Sequence, residues 1–239
     1  MQMRRDPVAA AATPAGPMPI TFAVRGGLGI RPIRPGPDAA FLHDWLSRDY
    51  ARFWGMQGKT QAEVAEKYRE ATEDEGRHFH IVTQGADARP VALFEVYHPA
   101  ADPLGRHYAV QPTDRAFHLV VAPPERRPHG VSGLAFLVLR AIASFVFADA
   151  SVRRLVAEPD IRNDAMFMLC ARAGFRLDRV MHLPHKTAQL IVLDRAGHQA
   201  LGWQPVASAA LPGHRAGAVR FHMLVGRIGR KVGLLDRGW

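Results

Sequence analysis

Of its 239 residues the chain has a single cysteine, Cys170, which excludes a disulfide scaffold and any zinc site built on thiolates. Long apolar runs are missing too. The longest, Leu134 to Ala148, is interrupted by Arg140 and is shorter than the ~20 residues a membrane-spanning helix requires. Acidic residues are too few to balance the basic ones: 22 Asp+Glu face 31 Lys+Arg, for a formal net charge of +9. There is no internal repeat and no helix-turn-helix, zinc-finger or ribonucleoprotein motif. No basic residues cluster with aromatics inside the central region, so nucleic-acid binding lacks its usual carriers.

The charge is unevenly placed. Residues 1–34 carry +4, residues 198–239 carry +5, and the 163 residues between hold 20 bases and 20 acids. The body is electrically balanced, and nucleic acid is not an expected partner for it. Residues 1–20 are rich in Ala and Pro without periodicity and are expected to be a disordered lead-in. Arg4 and Arg5 before a run of alanines imitate a signal peptide. Pro7, Pro14, Pro17 and Pro19 break up any apolar segment there, so a cytoplasmic protein is expected. With 48% hydrophobic residues the remainder can bury a core, and its length suits one domain, 21–197, followed by a C-terminal extension, 198–239.

Periodicity predicts a short strand pair at Phe22–Val24 and Leu28–Ile33, then a helix capped at Pro37-Asp38 with Phe41, Leu42, Trp45 and Leu46 on one face. A second helix starts at Thr60, where Glu63 completes a capping box, and runs to about Thr72. Strands are expected at His78–Gln84, Pro90–Tyr97 and Ala116–Ala122, with a polar loop from His98 to Asp114. An apolar helix over Leu134–Phe147, a strand at Arg154–Ala157 and a helix over Asp164–Ala173 stopped by Gly174 follow. A strand pair at Phe175–His182 and Ala188–Asp194 closes the domain. This order implies an α+β fold with a central mixed sheet, mostly antiparallel, flanked by helices.

The segment from Phe117 to Leu134 joins a strand to a helix through Arg127-Pro-His-Gly130-Val-Ser132-Gly133. Glycines entering a helix direct backbone N–H groups outward at the positive end of the helix dipole, which suits phosphate; they also serve plain turns. His78 with His80, and His182 with His185, lack acidic companions at ligand spacing, and no metal is expected. Phe221, Leu224, Val225, Ile228, Val232 and Leu235 lie at helical spacing, with Arg220, Arg227, Arg230 and Lys231 mostly off that line. This extension is expected to fold back onto the domain or to meet a second copy. Peripheral binding to a membrane or an acidic partner is the other reading.

Several motifs carry a family resemblance. The loop with Arg127, Gly130 and Ser132 resembles the acyl-CoA loop of the GNAT acetyltransferases, with Ser132 replacing a Gly or Ala and Gly133 following. Asn163 through Cys170 to Gly174-Phe175 is similar to the helix that flanks the coenzyme thiol in that family, with Cys170 where many members have a Tyr. His43-Asp-Trp45, Arg52-Phe53-Trp54, Glu95-x-Tyr97, Phe117-His118-Leu, Glu158-Pro-Asp160-Ile-Arg-Asn163 and Leu183-Pro-x-Lys186-x-Ala188 occur in this order. Over roughly residues 28–197 they resemble the siderophore-biosynthesis branch of GNAT enzymes, the aerobactin-type N6-hydroxylysine acetyltransferases and mycobactin lysine N-acyltransferases.

The resemblance implies acetyl-CoA or another acyl-CoA as co-substrate, bound by Leu119, Val120, Arg127, Gly130, Ser132, Gly133, Asn163 and Cys170. It also implies His118 and Asp160 as the catalytic pair, facing one cleft between parallel strands that splay apart. Acyl transfer to nitrogen needs a neutral nucleophile, a base and oxyanion stabilisation. His118 near its ordinary pKa of ~6.5 is the expected base, Asp160 an orienting charge, and a backbone N–H near Leu119–Val120 the oxyanion donor. Trp45, Phe53, Trp54 and Tyr97 are candidates for the acceptor wall, and Arg52 and Lys186 for an acceptor carboxylate. The expected acceptor is a small-molecule amine or hydroxylamine. An aminoglycoside 6′-N-acetyltransferase, a non-catalytic acyl-CoA-binding protein and a basic nucleic-acid-binding protein are the alternatives.

Overall fold

In the computed structural model, residues 22–24, 27–74, 76–126 and 133–202 are described. The loop residues Arg127, Gly130 and Ser132 lie outside them, as do the lead-in and the basic amphipathic stretch beyond residue 202. Eight strands form one sheet in the order β1-β2-β3-β4-β5-β6-β8-β7. They are β1 (Phe22–Val24), β2 (Leu28–Pro32), β3 (Arg77–Gln84), β4 (Arg89–Tyr97), β5 (Asp114–Val121), β6 (Arg154–Ala157), β7 (Arg176–Leu183) and β8 (Lys186–Asp194). Every neighbouring pair is antiparallel except β5–β6.

Helix α3 (Leu134–Phe147) makes the crossover that the parallel pair requires. It is apolar almost throughout because it is nearly engulfed, packing with Phe94, Phe117, Leu155 and Leu193 on one face of the sheet. Helix α4 (Asp164–Arg172) adds to that layer, and Gly174 ends it in the left-handed region at φ +80°. On the opposite face α1 (Pro35–Leu46) and α2 (Gln61–Glu73) bury Leu42, Trp45, Leu46, Val64 and Tyr68 against Ile81, Leu93 and Val120. Thr60 and Glu63 form the capping box at the start of α2 as expected.

Three local features differ from expectation. Helix α1 starts at Pro35 with Arg34 as N-cap, not at Pro37-Asp38. Asp38 is drawn inward instead: it is 1% exposed, receives two hydrogen bonds from the Arg31 guanidinium and one from the Arg34 N–H, and so ties α1 to β2. A 3-10 helix, Asp49–Trp54, follows α1, and a short helix α5 (Arg195–Ala200) crosses residue 197, burying His198.

The feature that positions a site is the short reach of the β5–β6 pairing. It covers only Asp114↔Arg154, Arg115↔Leu155 and Ala116↔Val156, while β5 continues to Val121. The closed end is pinned by Arg154, which donates twice to fully buried Asp114 at 2.7 Å, and by Tyr108 Oη at 3.1 Å from the same carboxylate. Beyond Ala116 the two strands part.

Candidate active site

The antiparallel β4–β5 register sets Glu95 opposite His118 and Tyr97 opposite Ala116, so Glu95, Tyr97 and His118 project from one face of the sheet. Glu158 follows β6 directly and shares the parity of Val156, which packs with Tyr97 and Ala116. All these side chains therefore meet beside the opening, on the face opposite α3.

His118 is held between two carboxylates. Its Nδ1 lies 2.9 Å from Glu95 Oε2 and its Nε2 2.9 Å from Glu158 Oε1. Glu95 Oε1 accepts from Arg77 Nη1 at 2.6 Å, and Arg77 also reaches Asp102 while its guanidinium lies 4.7 Å over the Tyr97 ring. Lys186 Nζ donates to Glu158 Oε1 at 3.2 Å, the oxygen that His118 uses. Tyr97 Oη is 3.3 Å from His118 Nε2 and donates to Glu158 Oε2 at 3.5 Å. Trp54 presents its edge to the imidazole at 6.2 Å, and its indole N–H donates to Tyr68 Oη at 2.9 Å.

These contacts set the charge states. Burial works against a charged His118, yet the Glu158 charge and hydrogen bonds to Glu158 and Glu95 outweigh it and push His118 up to about 9. Burial likewise opposes ionisation of Glu158, but the His118 and Lys186 charges hold it down at about 2. Glu95 is lowered, again against burial, by His118 and Arg77. Tyr97 is raised well above its ordinary value, first by burial and then by the surrounding carboxylates, so it remains a hydroxyl. Three cations (Arg77, His118, Lys186) face three carboxylates (Glu95, Asp102, Glu158), and the cluster is electrically balanced.

Several expected site residues stand elsewhere. Asp160 does not face His118; that place is taken by Glu158. Asp160 closes its own turn, with Oδ1 accepting from the Arg162 N–H and Nε and Oδ2 from Arg162 Nη2, which lowers it to about 2. His118 is not near its ordinary pKa, for the reasons above. Val120 pairs with Leu93 in the rung pattern that joins Ala122 N–H to Val91, so its N–H is committed to β4. The same alternation turns the N–H groups of Leu119 and Val121 toward the side that β6 has left. Cys170 is 1% exposed inside the α3 layer, its thiol pushed up to about 12 by burial.

Asn163 caps α4, its side chain accepting from Met166 N–H. Trp45 is core, 2% exposed, whereas Trp54 stands at the cleft. Phe53 is exposed between Arg52 at 4.6 Å and Arg162 at 6.0 Å, and Arg52 pairs with Asp49 at the surface. Lys186 is engaged by Glu158 and is not a free cation. Gly133 is the N-cap of α3 at φ +79°. Glu95, Glu158 and Arg77 were passed over as site residues. Glu95 and Glu158 were nonetheless visible as acids inside the quoted motifs, Glu95 within an otherwise apolar strand.

The chain is similar to several known proteins. The family model for the acetyltransferase (GNAT) domain matches residues 34–183. The N(6)-hydroxylysine O-acetyltransferase of Escherichia coli is 30% identical over 175 residues, 72% of this chain and 53% of that protein. The lysine N-acyltransferase MbtK of Mycobacterium sp. (strain MCS) is 27% identical over 68% of this chain and 64% of its own length. The chain thus spans between half and two thirds of these curated relatives. Among solved structures, an uncharacterized protein from Bacillus halodurans superposes with a TM-score of 0.66 at 22% identity, covering 72% of this chain and 86% of that one. The aminoglycoside acetyltransferase AAC(6')-Ib in complex with coenzyme A and kanamycin gives 0.62 at 21% identity, over 72% of this chain and 98% of that one.

Proposed function

The chain belongs to the GNAT acetyltransferase family, and on that premise we propose that it is an acyl-CoA-dependent N-acyltransferase, with acetyl-CoA the expected donor. The acceptor is the side-chain amine or N-hydroxyamine of a lysine- or ornithine-like molecule, in the assembly of a hydroxamate siderophore. One observation carries this reading: the β5–β6 opening lies beside the His118–Glu158 pair. A thioester carbonyl in the opening meets the Leu119 N–H, while the acceptor nitrogen approaches from the face that holds His118, Glu158 and Trp54. The C–N bond forms as the carbonyl electrons move onto oxygen, where the Leu119 N–H stabilises the charge. The nitrogen, now positive, gives its proton to the Glu158 carboxylate. The C–S bond then breaks, and that proton ends on the departing thiolate.

The coenzyme phosphates are assigned to the 127–133 loop, with Arg127, Gly130, Ser132 and Gly133. In support, α3 begins at Gly133 without a side-chain cap, which leaves its first N–H groups for an anion. An acyl-CoA co-substrate supports a cytoplasmic reaction. An aminoglycoside fits less well. A polycation needs carboxylates without partners, and Glu95, Glu158 and Asp160 are each matched by Arg77, His118, Lys186 or Arg162.

The test is thiol release from acetyl-CoA with N6-hydroxylysine, N5-hydroxyornithine, lysine, cadaverine and kanamycin. Release with the amino acid acceptors is expected; turnover of kanamycin alone, or coenzyme binding without any release, refutes the reading. Glu158→Gln, which removes the proton acceptor, is expected to lower turnover at least 100-fold with coenzyme A still bound. Asp160→Asn, acting only through its turn, is expected to cost roughly tenfold or less.

A further inference from the structure

The machinery described above does not use Glu95, yet Glu95 is 7% exposed and hydrogen-bonded to the one His118 nitrogen that faces away from the acceptor. Both ring nitrogens sit 2.9 Å from a carboxylate oxygen, a geometry that is favourable only when each nitrogen bears a hydrogen. Arg77 and Asp102 hold Glu95 from behind, Lys186 and Tyr97 fill out Glu158, and Trp54 closes the remaining side. Further out, Asp74 lies 4.0 Å from Arg77, and Asp160 interacts with Lys186 but is itself paired with Arg162. A ring with both nitrogens protonated cannot take a proton from an incoming ammonium, and the balanced cluster offers that ammonium no spare negative charge.

We propose that Glu95 is the positioning residue that decides which acceptor nitrogen is used: by holding His118 as an imidazolium it restricts acylation to nitrogens already neutral near pH 7, N-hydroxyamines before plain alkylamines. A lysine amine, with its ordinary pKa of ~10.4, is almost wholly protonated there and must lose a proton before it can attack. A hydroxylamine nitrogen is far less basic and attacks as it stands. Its attack makes a C–N bond, and the proton it then sheds goes to Glu158, so a neutral His118 is not needed. The raised pKa of His118 accords with this charge state. The inference rests on the N-acyltransferase reading of the site.

The test is Glu95→Gln. The Gln side-chain oxygen can still accept from Nδ1–H, which keeps the ring oriented, while the Gln NH2 gives up the hydrogen bond from Arg77, which retains Asp102; the ring loses the second negative charge. His118 then deprotonates at lower pH. For each pH unit of that change the neutral ring at pH 7.5 becomes about tenfold more abundant. The ratio of kcat/KM for N6-hydroxylysine to that for lysine is expected to fall about tenfold, chiefly through faster lysine acetylation. The acid limb of the lysine pH profile is expected to move down. A purely structural role would lower both acceptors together and leave the profile in place, and that result overturns the proposal. Nitrogen-15 NMR of the histidine side chains, assigned with His118→Gln, provides a readout independent of turnover. A neutral His118 ring in the unmutated protein at pH 7.5 overturns the proposal even where the ratio changes. Thiol release with neither acceptor removes the enzymatic reading itself, and the acceptor rule with it.

Discussion

Replacing Glu158 by Gln removes one negative charge from between His118 and Lys186 while keeping the shape of the side chain. The rise of His118 from 6.5 to about 9 corresponds to about 3 kcal/mol between charged and neutral ring. Since 34% of the ring is exposed, solvent screening reduces this to about 2 kcal/mol. Because the folded pKa lies above the unfolded one, this stabilisation is fully present below pH 6.5, declines as pH rises, and is gone once pH has passed about 9. The same contact seen from Glu158, whose folded pKa of about 2 lies below its ordinary 4.5, is present above pH 4.5 and lost as pH falls through about 2.

The unmutated protein should therefore lose about 2 kcal/mol of unfolding free energy between pH 6.5 and 9.5. Glu158→Gln should lose less over that interval, since Glu158 is the larger of the two influences on the ring. At pH 7 the variant should be less stable by about 2 kcal/mol, below the 3–5 kcal/mol of a stranded buried charge, because His118 can release its proton. Urea unfolding followed by circular dichroism at fixed ionic strength, from pH 6 to 10, measures both curves. A flat curve for the unmutated protein from pH 6.5 to 9.5, or a difference between the two that fails to narrow, would falsify the charge assignment.

Two further outcomes can be checked. His80 stacks on Phe94 at 5.0 Å and meets Phe145 at 4.9 Å, its Nδ1 has no hydrogen-bond partner among the described residues, and burial lowers it to about 4. His80→Phe is expected to stabilise the fold by about 1 kcal/mol at pH 7, and thermal melts should show the gain widening at pH 5, where the unfolded ring binds a proton that the folded one refuses. Cys170, the sole thiol, is buried and raised to about 12. A colorimetric disulfide reagent should find essentially no reactive thiol in the folded protein and one per chain in denaturant, and rapid native labelling would remove Cys170 from the core.

Much of the secondary structure was legible because its causes are local. Thr60 and Glu63 form a capping box within four residues, and Leu134–Phe147 is apolar almost throughout because it lies between a sheet and a second helix. Where a distant partner intervened, local reasoning failed. Asp38 looked like an N-cap, but Arg31 from β2 drew it into the core and the helix began at Pro35. Asp160 looked like the partner of His118, but Glu158, brought there by the strand register, meets the ring, and Asp160 is held by its near neighbour Arg162.

By itself the sequence determined the order and type of the elements, the balanced charge of the body and the family motifs, since each depends on residues close in the chain or on counting. Only the tertiary structure decided which acids meet His118. Glu95, His118, Glu158 and Lys186 come from β4, β5, the turn after β6 and the start of β8, and strand register and side-chain parity bring them onto one face. The ionisation state of His118 follows from that meeting, because a pKa depends on the charges a folded group touches and not on its neighbours in the chain.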